Sequence, residues 1–249
     1  MDNVSLVAEL ILKSERIVVL SGAGISTESG IPDFRSHKSG LWNHFPAEDI
    51  LYIENFRRNP EVFYNFALQS FDKIFDAKPN NTHYLLARME RKGKLKAVIT
   101  QNIDNLHQNA GSTSVIELHG NYLTSTCIKC GRKYRTIDLF SKYKMSKTIP
   151  LCTSCYGLIK PDVIFFGEML PEIALNNAFK ESKSSDLFII VGSSIVVSPA
   201  SFLPEEAHSS GAKIIILNME PTSYDKNAEV VINDKLSNIT TKLEQFLYV

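Results

Sequence analysis

The chain has 249 residues, 44% of them hydrophobic, and its 27 Lys and Arg side chains balance its 27 Asp and Glu side chains. A chain of this size can bury one sizeable core and a small second domain without disulfides. Because the formal net charge is zero, no general field draws polyanions to the surface. This balance argues against direct binding of nucleic acid.

The N-terminal segment, residues 1–16, mixes charged and apolar residues at helical spacing and predicts an amphipathic helix. It has neither the basic start nor the unbroken apolar stretch of a secretory signal. No apolar run in the sequence approaches the roughly 20 residues that a membrane-spanning helix requires. We therefore expect a cytoplasmic protein that does not associate with a membrane.

Short apolar runs alternate along the chain with segments of helical periodicity. We predict strands at residues 17–20, 95–99, 187–191 and 213–217, and helices at residues 82–91, 171–183 and 198–210. Alternation of this kind is typical of βα units that build a mostly parallel, doubly wound sheet.

A glycine loop follows the first predicted strand, where Gly22 and Gly24 would let backbone N–H groups approach a pyrophosphate. The dehydrogenase fingerprint requires a third glycine where this chain has Thr27, and an acidic residue about 20 residues further on, near His44. The loop therefore departs from the dehydrogenase pattern, and by itself it is equally compatible with a purely structural turn.

Two stretches interrupt the alternation of strands and helices. Residues 31–77 are rich in aromatic side chains and predict a loop followed by helices, whereas residues 121–160 contain all four cysteines and little continuous apolar sequence. We expect both stretches to pack together as a smaller lobe. Such a lobe would leave a cleft against the large sheet, where open α/β folds bind ligands.

The four cysteines form two CxxC pairs, Cys127 with Cys130 and Cys152 with Cys155. This spacing is typical of a four-cysteine zinc ribbon, whose closed tetrahedral site leaves no position for substrate. We therefore predict one structural Zn²⁺ per chain. The alternatives are a redox-active pair and four unrelated buried thiols, and both fit two pairs in a polar insertion less well.

Taken together, the patterns predict an α/β fold, a Rossmann-like doubly wound parallel sheet with a smaller lobe made of a zinc ribbon and a helical insertion. We assign residues 1–30, 78–120 and 161–249 to the Rossmann-like domain. Residues 31–77 would form a cofactor loop and the helical insertion, and residues 121–160 the zinc-binding module.

Six short blocks of the chain, in the same order, resemble the sirtuin family. They are SGAGISTESGIPDFR from Ser21, TQNIDNLH from Thr100, ELHGN from Glu117, the two cysteine pairs, KPDVIFFGE from Lys160, and VGSS from Val191. The resemblance implies an NAD-dependent protein-lysine deacetylase, an acyltransferase that moves the acetyl group of acetyl-lysine to ADP-ribose. The products would be nicotinamide, free lysine and O-acetyl-ADP-ribose, and acetylated proteins or peptides would be the partners.

The resemblance assigns catalytic roles to His119, Asn102 and Asp104. An imidazole that titrates near neutral pH suits a base for a ribose hydroxyl, although a histidine satisfied by core hydrogen bonds is the competing interpretation. In sirtuins the matching asparagine orients ribose and water, and the matching acid holds the nicotinamide carboxamide. An Asx turn or a helix cap at Asp104 is compatible with that role.

The same blocks imply further contacts to NAD. Phe34 would cover the reactive ribose carbon and Arg35 would bind phosphate or order the cofactor loop, although a lone loop arginine is usually a solvated surface residue. The predicted cofactor-binding set is Gly22, Ala23, Gly24, Thr27, Phe34, Arg35, Gln101, Asn102, Ile103, Asp104, His119, Gly192, Ser193, Ser194, Asn218, Asp234 and Lys235.

The run from Val163 to Gly167 resembles the segment on which sirtuin substrates lie as an added strand. We expect Val163, Phe165 and Gly167 to bind substrate, with Phe165 along the lysine stem. The alternative for Phe165 is an ordinary core phenylalanine in a β run.

Family members that prefer acidic acyl groups have a tyrosine and an arginine three residues apart in the helical insertion. This chain has Tyr64, but the third residue on is Ala67. Burying an acyl carboxylate without that cation would be costly. We therefore expect acetyl and longer neutral acyl groups to be preferred over succinyl or malonyl.

Other functions remain open at the level of sequence. The same NAD chemistry can send ADP-ribose to a protein side chain, and a non-catalytic NAD or ADP-ribose sensing module would use the same scaffold without the base. A zinc-ribbon nucleic-acid binder fits poorly because few Lys and Arg residues lie near the cysteines. We expect a monomer.

Overall fold

The structure is a computed structural model that describes residues 2–33 and 50–248, apart from the side chains of residues 70 and 71. Its strands are β1 (Ile17–Ser21), β2 (Leu95–Thr100), β3 (Val115–Glu117), β4 (Gly120–Cys127), β5 (Lys133–Arg135), β6 (Ile159–Val163), β7 (Leu187–Val191), β8 (Lys213–Asn218) and β9 (Val230–Asn233). The α-helices are α1 (Asn3–Lys13), α2 (Ile53–Arg58), α3 (Pro60–Asp76), α4 (Asn81–Arg91), α5 (Leu106–Asn109), α6 (Thr136–Ser146), α7 (Glu172–Ser184), α8 (Leu203–Ser209) and α9 (Leu236–Leu247).

Six strands form one parallel sheet in the order β3-β2-β1-β7-β8-β9. From β1 the chain builds the sheet outward through β2 and β3, and it later returns to the other side of β1 with β7. The topological switch point therefore lies between the carboxyl ends of β1 and β7, where doubly wound sheets bind their ligands. This order confirms the predicted α/β fold class.

Helices cover both faces of the sheet, so the central strands are buried along their whole length. Alternate residues of β1 point to opposite layers. Ile17 and Val19 pack in a core with residues of α1, α4 and α9, whereas Val18 and Leu20 pack in a second core with residues of α7 and α8. The rigid sheet thus supports the loops that leave its carboxyl edge.

The four predicted strands are confirmed, and β1, β2 and β8 each extend one residue further than predicted at their carboxyl ends. The single helix predicted for residues 198–210 is wrong, because a short 3₁₀ helix (Ala200–Phe202) precedes α8 there. Pro204 lies in the first turn of α8, and a proline deeper within one continuous helix would remove a hydrogen bond and clash with the preceding turn. The edge strands of this sheet, β3 and β9, were not predicted.

The two predicted insertions contact each other beside a second sheet, which is antiparallel in the order β5-β4-β6. Aromatic side chains of α2 and α3 pack against Phe140 and Tyr143 of α6. The Tyr64 hydroxyl donates a hydrogen bond to the carbonyl of Ile159 at 2.7 Å, which ties α3 to β6. The domain boundaries drawn from the sequence stay a prediction.

Within residues 2–33 and 50–248, no helix has both the length and the apolar character needed to cross a bilayer.

The hydrogen bond between α3 and β6 can be tested by replacing Tyr64 with phenylalanine. The Tyr64→Phe variant keeps the ring in the aromatic cluster but removes the donor to Ile159, so we expect the free energy of unfolding to fall by about 1 kcal/mol. Denaturant unfolding measures it. The control is Tyr84→Phe, whose ring is 45% exposed and which should unfold like the wild type. Equal stability of the two variants would contradict the proposed tie.

Candidate active site

A cavity of about 740 Å³ opens at the carboxyl edge of the large sheet. The segments that line it follow strand ends: Gly22 follows β1, Gln101 follows β2, Gly192 follows β7, and Asp234 follows β9. Of the predicted cofactor and substrate residues, those lining the cavity are Gly22, Ala23, Gly24, Thr27, Gln101, Asn102, Ile103, Asp104, His119, Val163, Phe165, Gly167, Gly192, Ser193, Ser194, Asn218, Asp234 and Lys235. Phe34 and Arg35 lie outside the described residues.

The floor of the cavity is a close crossing of two backbones. The Gly24 N–H donates to the Gly192 carbonyl at 2.8 Å, and a Cβ placed on Gly24 would lie 2.8 Å from the Cα of Gly192. Gly192 itself has φ +60, and a Cβ there would lie 2.3 Å from the nitrogen of Ile25. Glycine is therefore required at both positions, and the crossing fixes the 3₁₀ helix of residues 23–29 at the edge of the sheet.

Asn102 is buried and held by three hydrogen bonds. Its Nδ2 donates to the Gly22 carbonyl and to Ser26 Oγ, both at 3.1 Å, and its backbone N–H donates to Thr100 Oγ1 at 3.0 Å. The amide nitrogen therefore faces the glycine loop. This orientation joins the segment after β2 to the segment after β1.

Asp104 is 4% exposed and accepts hydrogen bonds on both carboxylate oxygens. Oδ2 accepts from Ser26 Oγ at 2.6 Å, and Oδ1 accepts from the N–H of Leu106 at 3.0 Å, which is the Asx turn considered from the sequence. Burial raises the pKa of the Asp104 carboxyl, and the hydrogen bond from Ser26 opposes that rise. A buried acid thus stands in the cavity wall.

The His119 ring is half-buried in the cavity wall, with its Nδ1 2.8 Å from the Gln101 carbonyl. A carbonyl oxygen can only accept, so Nδ1 carries the proton and Nε2 of the neutral ring carries the lone pair. The His119 carbonyl in turn accepts from the N–H of Ile164 at 2.9 Å. His119 and Asp104 line one cavity, as the sequence interpretation requires.

The segment after β6 is braced by a half-buried ion pair. Lys160 Nζ lies 3.0 Å from Glu168 Oε2, 2.6 Å from the Val163 carbonyl, and 4.5 Å from the centre of the Phe165 ring. Burial lowers the pKa of Lys160, and Glu168 opposes that shift. The pair closes residues 160–168 into a fixed loop beside the cavity.

The four cysteine thiols converge at one point of the small lobe. Their sulfur atoms all lie within 4.8 Å of one another, with 3.5 Å between Cys127 and Cys155 and between Cys130 and Cys152. Four thiolates around Zn²⁺ at roughly 2.3 Å stand about 3.8 Å apart, so the cluster fits a tetrahedral zinc site. None of the four cysteines forms a disulfide.

Comparison with known proteins identifies the family to which the chain belongs. The family model described as "Sir2 family" matches residues 22–199. The NAD-dependent protein deacetylase 2 of Caldanaerobacter subterraneus subsp. tengcongensis is 45% identical over 230 residues, which are 92% of this chain and 90% of that protein. The chain belongs to the Sir2 family. This membership confirms the sirtuin resemblance of the six sequence blocks.

Solved Sir2 structures are similar over nearly the whole chain. One holds a deacetylated p53 peptide and 3'-O-acetyl ADP ribose; it has a TM-score of 0.93 at 42% identity and covers 97% of both chains. Another holds a p53 peptide and NAD⁺, with a TM-score of 0.90 at 42% identity and 98% coverage of both chains. The Sir2 fold with its two sheets is therefore common to all three.

Ile164 and Phe166, which flank Phe165, are among the cavity residues of this Sir2 chain that were not predicted. Phe165 is only 3% exposed and packs on Phe56 and Phe63, so its core role holds even though it touches the cavity. Ile164 and Phe166 are half-buried and also line the cavity. Neighbouring side chains of an extended segment point to opposite faces, and this alternation could have identified the pair from the sequence.

Tyr64 occupies the apolar part of the Sir2 insertion without exposing its hydroxyl. The residue is 1% exposed, and its hydroxyl is bonded to the Ile159 carbonyl. The cavity wall on this side is apolar and includes Leu51, Phe63, Phe66, Ile74 and Ile103. The Tyr64 hydroxyl is thus bound to the Ile159 carbonyl and does not face the cavity as the tyrosine of the acidic-acyl pattern would, and Ala67 is fully buried.

Tyr134 supports the zinc site of this Sir2 protein from outside the four ligands. Its hydroxyl donates to Cys152 Sγ at 3.1 Å and accepts from the N–H of Thr153 at 3.1 Å. Hydrogen bonds to ligand atoms orient them and commonly change metal affinity by roughly 10–100-fold. The hydroxyl therefore holds Cys152 in the orientation that a metal requires.

We expect the Tyr134→Phe variant of the zinc-loaded protein to release Zn²⁺ to a chromogenic chelator at least about tenfold faster than the wild type. The matched control is Tyr156→Phe in the same module, whose side chain is 79% exposed. Metal release at one common rate from both variants would show that the Tyr134 hydroxyl does not stabilise the site.

Proposed function

We propose that this Sir2 chain is an NAD-dependent protein-lysine deacetylase that transfers the acetyl group of acetyl-lysine to ADP-ribose. The observation that supports it most strongly is the placement of His119 and Asp104 in one cavity, with the His119 tautomer set by the Gln101 carbonyl. The reaction also consumes one water molecule, which enters as the lysine amine leaves, and its products are nicotinamide, the free lysine and O-acetyl-ADP-ribose.

In the first step Asp104 and Asn102 bind the nicotinamide end of NAD. A carboxylate has about four lone-pair positions, so Asp104 can accept from a carboxamide N–H in addition to Ser26 and Leu106. The bonds of Asn102 to Gly22 and Ser26 fix its side chain beside the ribose. Nicotinamide then leaves, and the acetyl oxygen attacks the exposed ribose carbon.

In the later step His119 acts as the general base. Its Nδ1 proton is held by the Gln101 carbonyl, so Nε2 accepts the proton of a ribose hydroxyl as that hydroxyl attacks the acetyl carbon.

The backbone of the glycine loop and the 3₁₀ helix of residues 23–29 supply the surface on which the pyrophosphate lies. Phe34 and Arg35 are included in this cofactor site on the basis of the sequence alone.

The substrate peptide lies along residues 163–167 as an added strand. The N–H groups of Ile164, Phe165 and Phe166 already donate within the chain, so an incoming strand binds the other backbone groups of this segment. Backbone recognition of this kind explains why many acetylated proteins can serve as partners. Val163, Phe165 and Gly167, with Ile164 and Phe166, surround the lysine stem.

Cytoplasmic localisation and a monomeric state are part of the same proposal. Four cysteine thiols kept free for a metal suit a reducing compartment. The proposed catalytic residues all come from one chain, so the site needs no second copy.

The activity is tested by incubating the zinc-loaded protein with NAD and an acetyl-lysine peptide. We expect nicotinamide release and O-acetyl-ADP-ribose in the wild type, and a fall in O-acetyl-ADP-ribose formation of roughly 10²–10⁴-fold in His119→Ala. Exchange of labelled nicotinamide into NAD should persist in His119→Ala, because that exchange precedes the base step.

The control variant is His208→Ala, which removes an exposed histidine and should react like the wild type. Labelled ADP-ribose on protein without release of acetyl groups would favour the ADP-ribosyltransferase instead. NAD binding with neither reaction would favour a sensing module.

Acyl preference is tested with peptides that differ only in charge at the end of the acyl chain. Succinyl and butyryl have the same number of carbons, but only succinyl ends in a carboxylate. Because position 67 is alanine and the wall is apolar, we expect kcat/KM to be at least roughly 100-fold lower for succinyl than for butyryl or acetyl. A succinyl peptide that turns over as efficiently as its acetyl counterpart would refute this preference.

A further inference from the structure

Two buried histidines lie behind the catalytic segment. Among the residues that the structure describes, the buried side-chain atoms without a hydrogen-bond partner are His83 Nε2, His107 Nδ1 and Ser112 Oγ. His83 and His107 are 0% and 1% exposed, and their ring centres are 5.0 Å apart. The two unpartnered ring nitrogens thus belong to neighbouring imidazoles that water does not reach from outside.

The hydrogen bond at the start of α4 determines the tautomer of His83. The backbone N–H of Asn80 points at His83 Nδ1 at 3.3 Å, as part of the capping box of this helix. A backbone N–H can only donate, so Nδ1 accepts and carries no proton. The proton of the neutral ring is therefore on Nε2, which makes Nε2 an unused donor.

A chain of hydroxyl groups determines the tautomer of His107. Its Nε2 lies 2.8 Å from Ser21 Oγ, and the Ser21 hydroxyl donates its one proton to Thr100 Oγ1 at 2.9 Å. Ser21 must then accept from His107, so the His107 proton is on Nε2. Nδ1 of His107 is left as an unused acceptor, and Nε2 of the neighbouring His83 ring as an unused donor.

Both rings are neutral at pH 7. Burial lowers the pKa of His83 to about 3, with a further contribution from His107, and burial lowers the pKa of His107 to about 4. The other tautomer of either ring would break its hydrogen bond to Asn80 or to Ser21.

The chain of hydrogen bonds ends at the catalytic segment. Thr100 Oγ1 accepts both from Ser21 and from the backbone N–H of Asn102, at 2.9 and 3.0 Å. Hydrogen bonds therefore connect His107 to Asn102 through the interior, and the His83 ring in the first turn of α4 packs beside His107. None of these groups touches the cavity that would hold NAD, except Asn102 itself.

We propose that His107 is a positioning residue for the reaction, a neutral Nε2–H imidazole that holds the backbone of Asn102 in place through Ser21 and Thr100, with the Nε2–H ring of His83 packed against it. The identity of the reaction rests on the proposed function, whereas the tautomers do not.

The tautomers are measured by NMR on the zinc-loaded, full-length protein labelled with ¹⁵N-histidine at pH 7. His83→Gln and His107→Gln assign the two signals, and exposed His208 serves as the internal reference. We expect both buried rings in the Nε2–H form. A Nδ1–H form at either ring overturns the proposal, whether or not the protein is a deacetylase.

The positioning role is measured by steady-state kinetics of Thr100→Val, His107→Leu and the double variant. Each single change breaks the chain, so we expect kcat to fall roughly tenfold with little change in KM for the acetyl peptide. The double variant should lose no more kcat than the more impaired of the two single variants, because both changes interrupt the same chain of hydrogen bonds. His107→Gln, which keeps a donor near Ser21, should restore most of the rate.

Thermal unfolding of each variant separates positioning from loss of fold. Thr100→Val keeps the side-chain shape, so the kinetics of this variant still test the positioning role if His107→Leu does not fold. A wild-type kcat in folded Thr100→Val, or effects of the two changes that multiply, overturns the positioning role. Absence of deacetylation in the wild type would instead overturn the proposed function and leave the tautomer measurement standing.

Discussion

The backbone contact between Gly24 and Gly192 is the constraint on which the rest of the site depends. It joins the loop after β1 to the loop after β7 at a separation that no side chain allows. Because these strands flank the switch point of the sheet, the contact places the 3₁₀ helix of residues 23–29 at the cavity floor. Its position is thereby set by main-chain geometry, which persists when surface side chains change.

From that floor a network of buried polar groups reaches the proposed catalytic residues. Ser26, on the 3₁₀ helix, binds both Asn102 and Asp104, and Gln101 links His119 to Ser193. A buried polar group needs a partner, and a satisfied network is rigid because a broken bond leaves such a group unsatisfied. The same network that orders the segment after β2 therefore defines which atoms of the site remain available to a ligand.

The small lobe closes the other side of the cavity, and two parts of the lobe contribute to this. Aromatic packing between α3 and α6 supplies the apolar wall, while the cluster of four cysteines holds together the segments that lead into β6. Lys160 and Glu168 then brace the segment between the lobe and the cavity. A closed four-thiolate metal site has no open position for chemistry, so the metal acts on function only by holding this lobe in place.

The sequence by itself determined the parallel α/β sheet, the glycine loop at its edge, the four-cysteine cluster and the Sir2 membership, because each depends on local periodicity or on short fixed spacings. The cavity residues could be named because the carboxyl ends of parallel strands meet at one edge. Only the tertiary structure decided that Phe165 packs in the core beside Ile164 and Phe166 at the cavity, that Tyr64 binds the Ile159 carbonyl, and that His83 faces His107. These facts depend on contacts between residues far apart in the chain, and side-chain direction and tautomer follow from partners that no local pattern contains.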